Sequence, residues 1–320
     1  MEFYPFEMHT HTRHSDGSFL PSSLAESVKD EGLFGFCLTD HNATTGNAEA
    51  QKASEQLGLI FLKGLEWTTF HGHITVLGGH STSDYREINP DTVVEQIKKI
   101  QKSGDIAVLT HPCRPGSPFC SGCYDDFNIS DYDIFDGFEV WSSFNPHLNT
   151  INKNAEAKYD KLCEKGCKIA VMYGRDWHGP RSNDQLVAAT YIGLEELNAK
   201  SVLKAIKERR TYISIGVRAN IKLKDSLGNF IDLGGEVRAG NYTLVCRLQQ
   251  ELARFAPENV IVEKILLSGT ALEEKIETKV SFGGFAKFLT LKPGFLKVEL
   301  LGKVNGKKAT LLFSTPFFVS

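Results

Sequence analysis

No run of about 18 apolar residues occurs in this 320-residue sequence, which excludes a membrane-spanning helix. The opening MEFYPFEMHTHT has neither the basic start nor the apolar core of a secretory leader, so the expected location is the cytoplasm. A basic excess is missing too. Lys and Arg number 36 against 39 Asp and Glu, a net charge of −3, which argues against a nucleic-acid groove or an anionic-membrane partner. The seven cysteines are an odd number without the spacing of a disulfide framework. Cys120-x-x-Cys123 and the near-pair Cys163 and Cys167 are read as free thiols, because only Cys113 offers a further zinc ligand nearby. Internal repeats and low-complexity linkers are also lacking, and nothing specifies an oligomer.

What is present is ordinary soluble globular material, 41% hydrophobic and 23% charged. To about residue 212, short apolar runs alternate with amphipathic stretches. Residues 34–39 (FGFCLT), 59–65 (LIFLKGL), 74–78 (ITVLG), 105–110 (DIAVLT), 135–141 (FDGFEVW) and 168–173 (KIAVMY) read as buried strands. Residues 22–31, 92–102, 159–165 and 201–209 read as helices, the first with a Ser23-x-x-Glu26 capping box and a stop at Gly32. Such alternation predicts a mostly parallel sheet, open or closed into a barrel. From 213 to 320 the pattern is β-rich, with strands expected at 217–224, 242–249, 260–268, 275–282, 295–304 and 309–318. Asn305-Gly306 is a hairpin signal, and the region reads as a β-sandwich of about 100 residues that docks directly on the first part. The boundary is expected near 211–216, dividing the chain into 1–212 and 213–320.

The chemistry lies in where acids and imidazoles fall. His9 and His11, two apart at the end of the first strand, share one face. Asp16 follows, and Gly17 permits a tight turn back toward the strand end. Later strands end in Asp40-His41, Glu66, His111 and Asp176-x-His178, another carries Glu139, and His73 stands at a strand start. In parallel α/β architectures sites are built at the C-terminal strand ends. Carboxylates mixed with imidazoles suit two or three divalent cations such as zinc, manganese or iron. Glu66 is placed to bridge two of them, the arrangement that clamps an attacking and a leaving oxygen.

His9-x-His11-x(4)-Asp16-Gly17, Thr39-Asp40-His41-Asn42, Glu66, His111-Pro112 and Asp176-x-His178 together resemble the PHP (polymerase and histidinol phosphatase) superfamily over roughly the first 210 residues. The resemblance implies an α/β fold, a distorted seven-stranded (β/α) barrel of PHP type, here followed by the C-terminal β-sandwich. It implies one metal on His9, His11, Glu66 and Asp176. A second would share Glu66 and take His111, with Glu139 either a further ligand or a group that orients one. A third would take Asp16, His41 and His178. The stretch Glu66-Trp67-Thr68-Thr69-x-x-Gly72-His73 and the β-rich C-terminus look more narrowly like the CehA/McbA branch.

The expected function is therefore metal-dependent hydrolysis, foremost of a phosphoester on a small anionic molecule, by a hydroxide generated at the metals. The alternative is a carbamate, amide or ester bond cleaved with the same ligands. A silent binding module would show eroded ligands, and all eight strong ones are present. His73 is read as a proton donor or as a cap on its strand. Arg114 and Arg175 are read as phosphate-binding or as surface arginines, the latter reading weighing more for Arg175. The long connection 112–131 is read as a lid, the sandwich as cover for one flank of the barrel, and 303–308 as a solvated hairpin tip.

Overall fold

The computed structural model describes residues 1–80, 84–117, 122–182, 185–280 and 282–320. Its first two-thirds run β1 (Glu2–Glu7), α1 (Pro21–Asp30), β2 (Gly35–Leu38), α2 (Asn47–Leu57), β3 (Ile60–Thr68), β4 (His73–Leu77), α3 (Val93–Lys102), β5 (Ile106–Thr110), β6 (Gly137–Ser142), α4 (Thr150–Glu164), β7 (Ala170–Gly174), β8 (Ala189–Leu194), α5 (Ala199–Lys207) and β9 (Thr211–Ser214). Local chemistry accounts for most of these bounds. In α3 the helical period buries Val93, Ile97 and Ile100 and leaves its lysines outside. Helix α1 starts one residue earlier than its serines suggest. Pro21 takes the first turn, where no N–H is needed, and the Leu20 N–H donates to Ser23 Oγ at 3.0 Å. Helix α2 has no large apolar stripe to betray it, because its buried face is Asn47, Ala50, Ala53 and Ser54. The polar first turns of α4 likewise hide its start, which Asn149 caps by accepting from the Ile151 N–H at 2.9 Å.

The sheet is less parallel than expected. Strands β1, β2 and β3 are parallel, as are β5, β6 and β7, but β4 runs antiparallel to both β3 and β5. The cause is the short connection 69–72, which returns the chain as a hairpin instead of a helical crossover. Beyond the edge, β1 pairs antiparallel with β8, and β8 with β9. Trp67, Trp141 and Trp177 are all fully buried within the principal apolar core.

The remainder is β10 (Ala219–Lys224), β11 (Phe230–Asp232), β12 (Glu236–Val237), β13 (Gly240–Leu248), β14 (Val260–Ser268), β15 (Ile276–Lys279), β16 (Gly283–Leu291), β17 (Gly294–Val304), β18 (Lys307–Ser314) and β19 (Phe317–Val319). One sheet is ordered β11-β10-β13-β16, and the other strands extend the large sheet. Inward residues of both, such as Leu244 and Leu289 on one and Ile265 and Leu300 on the other, belong to one core. Asn305 and Gly306, at φ +48° and +79°, form the expected two-residue turn between β17 and β18. Strand β9 bonds β8 on one side and β18 on the other, so the sheet runs unbroken through residues 212 and 213. Cys123 is disulfide-bonded, which corrects its reading as a free thiol, while Cys113, Cys163 and Cys167 are free. Cys120 lies outside the described residues. No helix among the described residues is long and apolar enough to cross a membrane.

Candidate metal centre

The ends of β1 and β7 are tied together beyond their last strand residues. The His11 N–H donates to Trp177 O at 3.0 Å and the Trp177 N–H to His9 O at 3.1 Å. This bridge holds His9 and His11 opposite Asp176 and His178. Between Thr12 and Phe19 the chain loops out and returns, and Gly17 permits it: a Cβ there would lie 2.4 Å from His11 O. Buried Asp40 fixes the loop by accepting from the Thr12 N–H, the Thr12 hydroxyl and the Ser15 hydroxyl, each at 2.7 Å. Asp16 is thereby carried to the rim, with its carboxylate 3.1 Å from His178 Nε2 and 3.6 Å from His41 Nε2. The reversed course of β4 matters here. Its register sets His73 beside Thr68 and beside Thr110, so a residue at a strand start joins the C-terminal ends of its neighbours.

Three groups of donor atoms result, each gathered within 4.8 Å: His9, His11, Glu66 and Asp176; Glu66, His73 and His111; and His11, Asp16, His41 and His178. The two oxygens of Glu66 face different groups. Oε2 lies 3.3 Å from His9 Nε2 and 3.5 Å from His11 Nε2, whereas Oε1 lies 2.9 Å from His73 Nδ1 and 3.3 Å from His111 Nε2. Asp176 Oδ1 completes the first group at 3.4 Å from His9 Nε2 and 3.0 Å from His11 Nε2. His11 stacks against the rings of both His41 and His178, at centroid distances of 4.4 and 4.1 Å, and those two rings are also neighbours at 5.9 Å.

The donor set fits a cation. His9 Nε2, His11 Nε2, Glu66 Oε2 and Asp176 Oδ1 are buried and converge on one point, and among the described residues no hydrogen bond of proper geometry satisfies them, although Glu66 Oε2 also lies 2.8 Å from His41 Nδ1. Buried polar atoms left this way are costly unless something fills the gap between them. His111 and Asp176 also hold backbone conformations unusual for side-chain-bearing residues, at φ +27° and +56°.

Charge is shared tightly within the cluster. Burial works against the charged form of Glu66, yet the nearby imidazoles of His9, His73, His111 and His41 hold its carboxyl well below the usual range. Burial likewise opposes ionisation of Asp176, and His9 and Arg114 overcome it. Burial also opposes the charged form of His9, but Glu139, Glu66 and Asp176 raise it. Burial takes His11 down to about 4. His178 is raised to about 9 and Asp16 lowered to about 2, their mutual contact outweighing the cost of burial in each.

Glu139 does not face the donor gap; it stands behind two of the imidazole residues. Oε1 is 2.8 Å from His9 Nδ1, and Oε2 accepts from the His111 N–H at 2.8 Å. Gly174 makes room for it, since a Cβ there would lie 2.1 Å from Glu139 Oε1. Glu139→Ala is expected to weaken metal binding about 10–100-fold, the usual effect of removing a group that orients a ligand. Chelator competition measures this, and unchanged affinity would refute the orienting role.

Arg114 meets the cluster at its rim. Its guanidinium contacts the Asp176 carboxylate and donates to the Ser142 and Ser143 hydroxyls at 3.0 and 2.8 Å. Arg175 does not reach the rim, against its reading as a phosphate ligand. It is buried, with Nε on Glu7 at 2.9 Å, Nη2 on Glu31 at 2.6 Å, and its guanidinium 3.7 Å from the Trp177 ring centre. Burial pushes the Glu7 carboxyl up to about 6 despite that arginine. Sequence reasoning missed Glu7 and the structural part of Asp40, because neither differs in type or spacing from an ordinary strand-end acid.

Comparison with known proteins adds the lineage. Over 70 residues the chain is 36% identical to the 3′,5′-nucleoside bisphosphate phosphatase of Chromobacterium violaceum, a match spanning 22% of this chain and 25% of that one. A two-domain protein from Bacteroides vulgatus, containing a predicted PHP-like metal-dependent phosphoesterase, superposes with a TM-score of 0.56 at 15% identity. That likeness covers 98% of this chain and 95% of the other, and it concerns the fold. Residues 7–202 match the PHP domain, and with the strand-end donor groups lying inside that span the chain belongs to the PHP family.

Proposed function

We propose that this protein is a metal-dependent phosphoesterase acting on a small phosphorylated molecule. The observation that carries the reading is the set of four buried, converging donor atoms on His9, His11, Glu66 and Asp176. These four would hold one cation. Glu66, His73 and His111 would hold a second, so His73 is better read as a ligand than as a proton donor. Asp16, His41 and His178 would hold a third, at the more exposed rim. When bound, such ions supply an activated water and neutralise charge on phosphoryl oxygens.

The chain's own residues do the positioning. Glu139 and Thr68 fix the rings of His9 and His41 through their Nδ1 atoms, at 2.8 and 2.5 Å. Arg114, held by two serine hydroxyls and the Asp176 carboxylate, presents a planar cation at the rim of the donor groups, of the kind that pairs with phosphate oxygens. Strands β1–β7 are read as the distorted barrel, with the β1–β7 bridge closing its active end. Residues 213–320 are read as the flanking sandwich, whose two sheets share a core. That the partly matched relative is a phosphatase favours a phosphoester over a carbonyl substrate.

The test is a parallel assay of 4-nitrophenyl phosphate and the corresponding carbamate and ester, with zinc, manganese and iron in turn, alongside metal analysis. Phosphate release that depends on added metal is expected. A phosphate substrate untouched by every metal form, with a carbonyl substrate cleaved, would sink the proposal in favour of the amide or carbamate reading.

A further inference from the structure

Beyond Glu66 the chain leaves the cluster through Thr68 and makes the loop 69–72, which holds Phe70 out in solvent at 84% exposure. The loop is firmly built. The Thr69 hydroxyl donates to Gly72 O at 2.8 Å, the His71 N–H to Thr69 Oγ1 at 3.1 Å, and the Asp126 N–H to His71 O at 2.7 Å. Gly72 lies flat on the Phe127 ring, where a Cβ would come within 2.3 Å, and a Cβ on Gly122 would lie 2.0 Å from Thr69 O. A large apolar side chain displayed on so fixed a support is a pre-organised contact surface.

Phe70 lines a cavity of about 500 Å³ together with Thr68, Thr69, Tyr85, Ile88 and Asn89. Its size falls in the ordinary range for small-molecule sites. Tyr85 is 39% exposed and Ile88 buried, so the lining offers two accessible aromatic rings beside an aliphatic residue, with His71, two threonines and one amide as its polar part. The Arg86 guanidinium, also at this cavity, is paired with the Asp84 carboxylate at 2.5 Å. The cavity adjoins the cluster because Thr68 belongs to both, its Oγ1 lying 2.5 Å from His41 Nδ1.

The structure assigns this cavity as the subsite for the non-phosphate part of the substrate, and its walls select a flat aromatic or heteroaromatic group. The assignment rests on the phosphoesterase reading above. Phe70 and Tyr85 act as specificity residues: they touch the ring by stacking and edge contacts and take no part in the bond that breaks.

The test uses two substrates with similar leaving alcohols, 2-phenylethyl phosphate and n-butyl phosphate, on the metal-loaded full-length protein. Wild type is expected to favour the aromatic ester in kcat/KM by at least about tenfold, mostly through KM, as aromatic contacts plus their buried area imply. In the Phe70→Ala/Tyr85→Ala variant this ratio is expected to collapse toward one, whereas Phe70→Tyr is expected to preserve it. A ratio near one in wild type, or one that survives both alanines, overturns the assignment. If neither ester is hydrolysed with any metal and 4-nitrophenyl phosphate is untouched too, the phosphoesterase reading falls; whenever the esters are inert, calorimetric binding of the same two compounds decides the subsite by the same ratio.

Discussion

Glu66→Gln is expected to lower metal-dependent phosphoester hydrolysis by more than about a thousandfold, because losing even one preorganised electrostatic contact costs about 10²–10³. This residue makes more than one. Its Oε2 faces His9, His11 and His41, and its Oε1 faces His73 and His111, so both proposed inner cations depend on a single carboxylate. An amide of the same shape removes the charge. It also turns one of the two oxygens into a donor aimed at imidazole nitrogens or at a cation, so at least one group loses its anion. Metal content should fall together with the rate. By contrast, Asp16 is 58% exposed in its side chain and belongs to the outer group alone, so Asp16→Asn should cost one cation and spare the inner pair. Elemental analysis of both purified variants separates these outcomes. A Glu66→Gln protein with its full metal content and a rate within about tenfold of wild type would contradict the bridging role.

The donor residues were readable in sequence for a physical reason. A strand ends at a point, and in parallel strands those points lie along one edge, so acids and imidazoles at the ends of 59–65, 105–110 and 168–173 had to converge. What was hidden depended on features that strand ends do not encode. The part played by His73 follows from β4 running backwards, which rests on β3 continuing to Thr68 and leaving four residues for the turn. An apolar reading stops that strand at Leu65, and the hairpin disappears. Glu139 lies mid-strand on β6, and only the missing side chain of Gly174 across the sheet lets its carboxylate reach His9. Helix α2 was invisible because its buried face is asparagine, alanine and serine, small residues that pack closely on neighbouring elements without forming an apolar stripe. Arg175, adjacent to Asp176 in sequence, points the other way, as consecutive residues at a strand end tend to do.

Arg175→Met is accordingly expected to act on stability, lowering the free energy of unfolding by about 3–5 kcal/mol, the effect of removing one partner from a buried charge pair. Arg175 is 1% exposed and ties three elements together. It meets Glu7 on β1 and Glu31 at the end of α1, and its own backbone N–H donates to Glu7 Oε1 at 2.9 Å at the exit of β7. The two carboxylates would not suffer equally. Glu31 keeps Arg181 at 2.8 Å, whereas Glu7 is fully buried and, among the described residues, has only backbone N–H groups of Met8, His9 and Arg175 as further hydrogen-bond partners. Glu7 would therefore become the uncompensated charge, directly beneath the backbone that presents His9. Methionine fills much of the volume and can still lie on the Trp177 ring, so the loss reports charge more than packing. The decisive comparison is the double variant Arg175→Met/Glu7→Gln, which removes both charges and keeps a hydrogen-bonding group for the backbone. It should recover more than about 1 kcal/mol relative to the single variant, the non-additivity expected of residues in contact. Denaturant unfolding of the wild type, both single variants and the double variant measures all four corners. Were Arg175 a phosphate-gripping residue instead, the single variant would unfold like wild type and lose only its affinity for phosphate substrates.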